Sequence, residues 1–320
     1  MNTKTKIWLT IATSLTFVGL IIFAIVMSVN QWDFSKLSTK KYQTNEYVII
    51  DEFSSIEINS NTADITILPS IDGENKVICF EDEKDPYDVN VSSGKLSIKL
   101  NDQRKWYEHI GIDFNTPKIT LYLNQIKYQS LNIKESTGDV IISKDFTFNN
   151  IDVRVSTGDV KCLASTQEFI KIKTSTGHIT LNNLSAGSLD LTVSTGRVIL
   201  TDIDCKGDIV INTGTGRTKL DNVLCKSLIS NGDTGDITLK NVTATEKFLI
   251  ERDTGDVNFE NSDAYEIHIE TDTGDVKGTI LTEKVFITKT DTGKINVPQT
   301  HSGGRCEIET DTGDIIISIV

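Results

Sequence analysis

The sequence is poor in proline, in aromatic residues and in positive charge. Only 4 prolines occur in 320 residues, and the stretch Lys118–Val297 contains none. Because proline cannot donate a ladder hydrogen bond, this long stretch is compatible with uninterrupted β-sheet. The formal net charge is −13 at pH 7. Phosphate binding requires clustered lysine and arginine, so this balance argues against a nucleic-acid partner.

Motifs of the common catalytic and metal sites are also missing. The 4 histidines show no H-x3-H spacing, and neither a phosphate-binding loop nor a dinucleotide-binding glycine pattern occurs. The triplet D-T-G supplies facing carboxylates in aspartic proteases, but here it recurs at a fixed period and should stack on one side. The sequence therefore predicts no enzymatic activity. A carbohydrate-active β-helix enzyme is the alternative.

The 5 cysteines are odd in number, and their spacings fit no zinc motif. Cys205 and Cys225 occupy equivalent positions in successive repeats, which would place their Cα atoms about 5 Å apart. That distance permits a disulfide. Stacked side chains point in parallel, however, and cysteine packs as a small hydrophobe. We therefore expect both residues to be reduced thiols in the core.

The sequence is rich in a ten-fold repeat, whose units each contain a Thr-Gly pair. The repeat glycines lie 19 or 20 residues apart, the period of a solenoid: Gly138, Gly158, Gly177, Gly196, Gly216, Gly235, Gly255, Gly274, Gly293 and Gly313. Positions are numbered below from the glycine of each repeat. Mostly apolar residues alternate at −7, −5 and −3 and again at +2 and +4. This alternation indicates two strands with one buried face each.

The pattern predicts an all-β fold, a single-stranded parallel β-helix (β-solenoid) of 19–20-residue rungs preceded by one N-terminal transmembrane helix. Each rung would comprise a strand, a Thr-Gly corner, a second strand and a bend. A single rung cannot bury its apolar face, but stacked rungs build a continuous core. In this register Val193 should be buried between Thr174 and Thr213.

The chain divides into five segments by composition. We expect a short cytoplasmic tail, a transmembrane helix, a linker, irregular N-terminal rungs with cap or insertions, and regular solenoid repeats, over residues 1–6, 7–29, 30–46, 47–117 and 118–320. The uncharged second segment would be about 34 Å long as a helix, enough to cross a bilayer core. No A-x-A-like cleavage site follows it, which favours an uncleaved anchor over a signal peptide.

The orientation of this span is not decided by its flanking charges, because lysines precede and follow it. Long downstream domains are translocated largely regardless of charge. We therefore expect a single-pass protein of the cell membrane with its N-terminus inside and its solenoid extracytoplasmic.

Two irregular regions flank the regular array. Near its start, Ile56–Ile67 and Val89–Ile98 both fit the rung template, whereas Asn101–Asn115 has no strand pattern and carries Trp106 and Tyr107. We interpret that insertion as a loop or cap, with partner binding through the two aromatic residues as the alternative. At the other end the chain finishes on apolar residues without a polar cap: Ile315, Ile317 and Ile319. An open edge invites pairing, so we hypothesise homo-association through this C-terminal edge strand.

The position after the glycine departs from aspartate in three neighbouring repeats, at His178, Arg197 and Arg217. The surrounding repeats carry aspartate there, so a basic patch would be flanked by acids. One interpretation is a solvated corner. The other is a docking site for an anionic glycan or protein partner.

Position −2 carries aspartate in five repeats: Asp233, Asp253, Asp272, Asp291 and Asp311. Each could accept backbone N–H groups at its own corner, as in an Asx turn. Alternatively, the stacked carboxylates could bind calcium weakly, in the millimolar range. No other cofactor is expected.

An N-terminal apolar span followed by strands that close on S-T-G-D-V corners, as at Ser136–Val140 and Asp272–Val276, resembles a bacterial family. It is the putative-adhesin family of β-strand-repeat proteins, of unknown function, which includes the LiaG-like envelope proteins. The resemblance covers about Tyr47–Val320. It implies a membrane-anchored, adhesin-like module that contacts a cell-envelope component or a membrane protein. An envelope-stress regulatory accessory beside a membrane sensor is the alternative, and no catalytic residues are implied.

Overall fold

One helix, α1 (Thr3–Val29), precedes the β-structure in the computed structural model, which describes residues 2–37, 40–101 and 115–320. Its first turn is capped by Asn2, whose side-chain oxygen accepts a 3.0 Å hydrogen bond from the N–H of Thr5. In the described part of the chain, this helix alone is long and apolar enough to cross a membrane. A 3-10 turn at Phe34–Leu37 follows it. Trp106 and Tyr107 lie outside the described residues.

The strands form one continuous solenoid wall. The N-terminal region contains β1 (Tyr42–Ile49), β2 (Ser55–Asn59), β3 (Asp64–Pro69), β4 (Asn75–Asp82), β5 (Tyr87–Ser92), β6 (Lys95–Leu100) and β7 (Lys118–Leu123). The central rungs contain β8 (Lys127–Thr137), β9 (Val140–Ile142), β10 (Thr147–Thr157), β11 (Val160–Cys162), β12 (Ser165–Ala186), β13 (Ser188–Cys205), β14 (Ile209–Thr215), β15 (Thr218–Thr234), β16 (Ile237–Thr254), β17 (Val257–Glu260), β18 (Asp263–Thr273) and β19 (Val276–Ile280). The C-terminal region contains β20 (Lys284–Thr292), β21 (Ile295–Asn296), β22 (Gly304–Thr312) and β23 (Ile315–Ile319).

The strands of successive rungs pair in parallel and in register, so that equivalent residues lie directly above one another. This arrangement confirms the predicted β-solenoid. Val193 pairs with Thr174 on one side and with Thr213 on the other, and it is 1% exposed. The inward residues at −7, −5, −3, +2 and +4 form one core cluster that extends through the described rungs. All five cysteines are buried free thiols, and burial is the main cause that raises the pKa of Cys225 to about 12. Their redox state in the cell stays a prediction.

The Thr-Gly corner repeats because backbone stacks directly on backbone there. A Cβ on Gly196 would lie 1.8 Å from the carbonyl oxygen of Gly177, and the φ angle of Gly196 is +151°. No side chain fits such an approach, and this φ is unfavourable for other residues. Ala63 takes the glycine position in the first rung of this stack, where Gly138 rests on the Ala63 carbonyl.

A second bend, six residues after the glycine, is not apparent in the hydrophobic pattern. Five successive rungs place asparagine or aspartate there with φ between 50° and 59°: Asn183, Asp202, Asn222, Asn241 and Asn261. These residue types tolerate the left-handed region better than others because their short polar side chains bond locally. The turn therefore requires Asn or Asp, and the recurrence of these residues at +6 was the available signal.

The N-terminal region corrects one predicted rung. Val89–Ile98 is an antiparallel hairpin of β5 and β6, because Ser93 and Gly94 have φ angles of 52° and 73°. Two consecutive positive φ values are typical of a type I′ hairpin turn. The rung formed by β2 and β3 lies between β6/β7 and β8/β9. Strands β1 and β4 extend this end antiparallel, with β1 beginning inside the segment expected to be a linker.

The C-terminal region corrects the expected edge. The last rung of the chain lies inside the stack, because β22 pairs with β18 on one side and with β20 on the other. Strand β23 pairs with β19 along Ile315–Ile319 and is covered by β21 over its first two residues. The outermost described rung is therefore β20/β21. Homo-association remains a prediction. Of the edge that the sequence pattern indicated, Ile315 and Ile316 are covered, and only Ile317–Ile319 has no described strand paired on its outer side.

Candidate interaction surface

In the first strand of each rung, alternate residues point to opposite faces, so the outward residues of the stacked rungs together form one continuous outer face. At position −4, pairing gives a stack that we call the charged stack. Its nine central members, in spatial order, are Lys134, Arg154, Lys173, Thr192, Asn212, Asn231, Glu251, Glu270 and Glu309. Beyond them, Asn59 pairs with Lys134 at the basic end, and Lys289 pairs with Glu309 at the acidic end. Nine rungs about 4.8 Å apart give it a length of about 38 Å. It passes from three cations through three neutral residues to three carboxylates.

Four members of the charged stack make no ion pair with another described residue: Lys134, Lys173, Glu251 and Glu270. All four are exposed. Arg154 donates from Nη2 to Oδ2 of Asp152 at 2.9 Å, and Glu309 contacts the ammonium group of Lys289. Both ends of the stack thus present charge that is not neutralised locally, and such charge is available to a partner.

The basic end lies in a depression of about 610 Å³, whose donors include Lys134, Arg154, Lys173, Ser136, Ser156 and Ser175. Lys171 and Asp190, which form an ion pair, also line it. Ammonium, guanidinium and hydroxyl groups are all donors toward an anion. The geometry suits binding of carboxylate or phosphate groups and offers no nucleophile paired with a base.

A carboxylate is buried beneath this depression at position −3. Glu135 is 3% exposed and accepts hydrogen bonds from the N–H groups of Ser136 and Thr137 at 3.0 and 3.2 Å. Its Oε2 atom has no hydrogen-bond partner in the described part of the chain. Desolvation by burial raises the pKa of Glu135 to about 7, against the opposing effect of these hydrogen bonds.

A second outward stack, which we call the Ser/Asp stack, runs beside the charged stack at position −2. Its exposed or half-exposed members, in spatial order, are Ser136, Ser156, Ser175, Ser194, Gly214, Asp233, Asp253, Asp272, Asp311 and Asp291. The D-T-G aspartates therefore lie on one side of the solenoid. In the described residues no group of three or more His, Cys, Asp or Glu side chains is arranged to hold a metal ion. Calcium binding stays a prediction, which thermal unfolding in calcium or magnesium at matched ionic strength would test.

The aspartates at +1 have a structural role that the sequence did not reveal. Each accepts the backbone N–H of the equivalent residue in the next rung through Oδ1. Asp159 N–H donates to Asp139 at 2.8 Å, His178 N–H to Asp159 at 2.8 Å, and Asp314 N–H to Asp275 at 2.7 Å. The aspartates thus satisfy corner donors that the Thr-Gly turn leaves outside the ladder.

The predicted partner-binding residues His178, Arg197 and Arg217 occupy three successive rungs of this ladder. His178 preserves it, because its Nδ1 accepts the Arg197 N–H at 3.1 Å. The two arginines have no acceptor and interrupt it, and Nε of Arg217 lies 3.6 Å from Oδ2 of Asp236. These three residues lie beyond the Thr-Gly corner, so they do not belong to the two stacks above. Partner binding by them stays a prediction.

Lys284 and Asp263 form a buried ion pair near the C-terminal end that the sequence pattern did not predict. Nζ of Lys284 lies 2.7 Å from Oδ1 of Asp263, with the side chains 2% and 7% exposed. Oδ2 of Asp263 accepts hydrogen bonds from Thr282 Oγ1 and Leu281 N–H at 2.7 and 3.1 Å. A cavity of about 500 Å³ adjoins the pair. The pair links the start of β18 to the start of β20, the first strand that departs from the regular rung order, and local periodicity does not indicate this contact.

Comparison with known proteins supplies a family model and several solved structures. Residues 53–215 and 206–320 match the model described as Toastrack DUF4097. A putative adhesin from Parabacteroides distasonis ATCC 8503 is 11% identical, with a TM-score of 0.47 over 85% of this chain and 98% of that chain. A putative adhesin from Parabacteroides merdae ATCC 43184 is 12% identical, with a TM-score of 0.49 over 76% and 96%. A putative lipid binding protein from Parabacteroides distasonis ATCC 8503 is 19% identical, with a TM-score of 0.43 over 75% and 95%. No curated protein matches the chain.

Proposed function

Because this chain belongs to the Toastrack DUF4097 family over residues 53–215 and 206–320, we propose that it is a membrane-anchored, extracytoplasmic, adhesin-like module of the cell envelope without enzymatic activity. Helix α1 supplies the anchor, and the solenoid presents an interaction surface away from the membrane.

The observation that carries this proposal is the pair of outward stacks. Side chains held in register over nine rungs form a rigid surface, because the strands that carry them pair with a neighbouring strand on each side. A rigid surface loses little conformational entropy when it binds an extended partner. The charges of Lys134, Lys173, Glu251 and Glu270 are exposed on it and unpaired within the described residues. These are properties of a binding module.

The anchor is supported by the length and exposure of α1. Its 27 residues span about 40 Å, and 0% of its most apolar window is buried against the solenoid. Met27, near its C-terminal end, is its one buried residue, and an apolar helix whose other residues are exposed in water is stabilised by a bilayer. Retention of this helix in the mature protein distinguishes the anchor from a cleaved signal peptide.

Membrane-impermeant thiol labelling of intact cells tests the topology. The native cysteines are buried, which keeps the background low. Ile71→Cys, at a site that is 98% exposed, should be labelled in intact cells, whereas Thr5→Cys should be labelled only after permeabilisation. The opposite pattern would refute the extracytoplasmic solenoid. A mature chain whose mass lacks α1 would refute the anchor.

Cell adhesion tests the activity itself. Cells that display the full chain should attach to one another, or to cell-envelope material, more strongly than cells that lack it. High salt should weaken attachment, because the proposed surface is charged. Equal attachment of both cell types would contradict the proposal.

A further inference from the structure

The two outward stacks share an internal symmetry in their chemistry. Reversal of the charged stack about Asn212 places each cation opposite a carboxylate: Lys134 with Glu309, Arg154 with Glu270, Lys173 with Glu251, and Thr192 with Asn231. Asn212 itself lies at the centre and faces its own equivalent. A stack of one charge would repel its reversed copy, but this sequence of charges attracts it.

The Ser/Asp stack has the same centre, which is an independent observation. Reversal about Gly214, in the same rung as Asn212, pairs a hydroxyl with a carboxylate at four steps: Ser136 with Asp311, Ser156 with Asp272, Ser175 with Asp253, and Ser194 with Asp233. Asp291, in the outermost rung, lies beyond these pairs. Serine hydroxyls donate and carboxylates accept, so each pair can form a hydrogen bond. The glycine at the centre leaves room for close approach.

From this shared centre we propose that two copies of the chain associate face to face, with antiparallel solenoid axes, across the charged stack and the Ser/Asp stack. The two-fold axis passes through the rung of Asn212 and Gly214 and runs along the strand direction, so each stack meets its own reversed copy. A two-fold contact uses the same surface of both subunits and must be self-complementary, as these stacks are.

The third outward stack, at −6, adds no charge complementarity, but it brings no like charges together in this arrangement. Val210 lies in the central rung and would meet its own copy. The neighbouring apolar residues Ile229 and Leu249 would face Asp190 and Lys171 of the second copy, which form an ion pair with each other. Three outward stacks of nine rungs cover roughly 20 Å by 38 Å, or about 750 Å² per partner. Specific interfaces bury about 800 Å² per partner.

This inference deepens the proposed function and rests on it, since it identifies the partner of the adhesin-like module as a second copy. Strand β1 follows α1 after a short linker and lies at the N-terminal end of the solenoid. Antiparallel packing therefore places the two anchors at opposite ends of the pair. Such a pair joins chains from two opposing membranes.

Vesicle clustering with complementary charge reversals tests the pairing. The full chain is reconstituted in vesicles of neutral lipid, and clustering is followed by light scattering. One variant carries Arg154→Glu and Lys173→Glu, and the other carries Glu251→Lys and Glu270→Lys. Each variant alone should cluster at least about tenfold more slowly than wild type, because like charges then face each other across the axis. A mixture of the two variants should recover wild-type clustering.

A matched control and alternative outcomes make the test decisive. Lys161→Glu with Lys219→Glu gives the same change in net charge as the basic-end variant, but on the second strand of each rung, beyond the Thr-Gly corner, and should cluster like wild type. Failure of the mixture to recover would overturn self-association. With an anionic envelope polymer added, clustering that appears only then and is lost in the basic-end variant alone would point to that polymer. Clustering only after protein-free anionic vesicles are added would point to a membrane surface. Both results would overturn the second-copy proposal while leaving a binding module in place.

Cross-linking on the axis gives a second measurement. Asn212→Cys should form an intermolecular disulfide, because the residue faces its own copy there. Asn258 is half-exposed on β17, the second strand of its rung, and lies outside the proposed interface. The Asn258→Cys variant should therefore stay monomeric. Equal cross-linking of the two variants would overturn the proposed axis.

Discussion

The guanidinium group of Arg252 lies over Gly232, the residue that pairs with it in the preceding rung. A Cβ on Gly232 would be 1.9 Å from Nη1 of Arg252. Arg252 is 4% exposed, and its Nη2 donates to Oγ of buried Ser230 at 2.8 Å. Desolvation by burial lowers the pKa of Arg252 to about 10. Two small residues in one rung thus make room for a large cation from the next.

The first prediction is that Gly232 and Arg252 are energetically coupled. Gly232→Val should destabilise the solenoid by about 3 kcal/mol, because the valine displaces a buried guanidinium. Adding Arg252→Thr should recover at least about 1 kcal/mol, because Val and Thr already alternate at −3 in neighbouring rungs. Denaturant unfolding of the wild-type chain, both single variants and the double variant gives the coupling free energy. Strictly additive effects would show that the two residues do not share space.

The second prediction concerns the Thr-Gly corner. Gly177→Ala should cost about 3 kcal/mol or more, because the new Cβ would be 2.0 Å from the carbonyl oxygen of Gly158. Gly73→Ala is the matched control, since Gly73 has a φ of +82° but nothing within 4 Å of the new Cβ. The control should cost only about 1–2 kcal/mol of backbone strain. Equal losses in thermal unfolding would mean that φ alone, and not backbone stacking, selects glycine.

Much of the fold follows from local periodicity, as the Thr174, Val193 and Thr213 stack demonstrates. Alternation of period two identified the buried faces, and the glycine spacing identified the rungs. The family resemblance drawn from the S-T-G-D-V corners is confirmed by the Toastrack match. These features were predictable because each repeat carries the same information as its neighbours.

The order of the terminal rungs was not predictable from the same pattern. The last rung has the same alternation as any other, so nothing local indicates that β22 lies between β18 and β20. One side chain is consistent with this order but does not identify it. Lys294 cannot accept the N–H of a following rung, and its own N–H donates to Asp314 at 2.9 Å, as suits an outermost rung. Arg197 and Arg217 show the same departure in central rungs, so a cation at +1 does not by itself mark the end of the ladder.

The charge symmetry of the outward stacks was likewise hidden. Along the chain Lys289 lies between Glu270 and Glu309, but in space Glu309 follows Glu270 directly and Lys289 lies in the next rung beyond Glu309. Only in that spatial order does the charged stack end in three consecutive carboxylates. The insertion of the last rung therefore shapes the surface proposed for self-association.

The third prediction is that stability falls as the pH rises, because of Glu135. Its pKa rises from 4.5 to about 7 on burial, so the folded state binds more protons than the unfolded state between these values. Its contribution to stability is therefore complete below pH 4.5 and is lost as the pH rises through about 7. The change is at most about 3 kcal/mol. Glu135→Gln should flatten this dependence and stabilise the chain at pH 8, measured by denaturant unfolding.

The exposed residue Glu83 provides the control for that measurement. Glu83→Gln should leave the pH dependence of the unfolding midpoint unchanged. A wild-type chain whose stability is flat between pH 5 and 8 would show that Glu135 is not desolvated. An identical slope in wild type and Glu135→Gln would assign the dependence to other groups.

The fourth prediction tests the order of the terminal rungs by engineered disulfides. Glu270 pairs with Glu309, and Glu309 pairs with Lys289, so Glu270 and Lys289 are two rungs apart. Cysteines at 270 and 309 should have Cα atoms about 4.8 Å apart, within the range that a disulfide spans. Cysteines at 270 and 289 would be about 9.6 Å apart, beyond that range. These two side chains face outward and can turn toward each other, unlike the packed side chains of Cys205 and Cys225. Under mild oxidation of dilute, monomeric chain, Glu270→Cys/Glu309→Cys should therefore form an intramolecular bond, detected as a linked peptide by mass spectrometry. Bond formation in Glu270→Cys/Lys289→Cys instead would restore the sequential rung order and remove Glu309 from the acidic end of the charged stack.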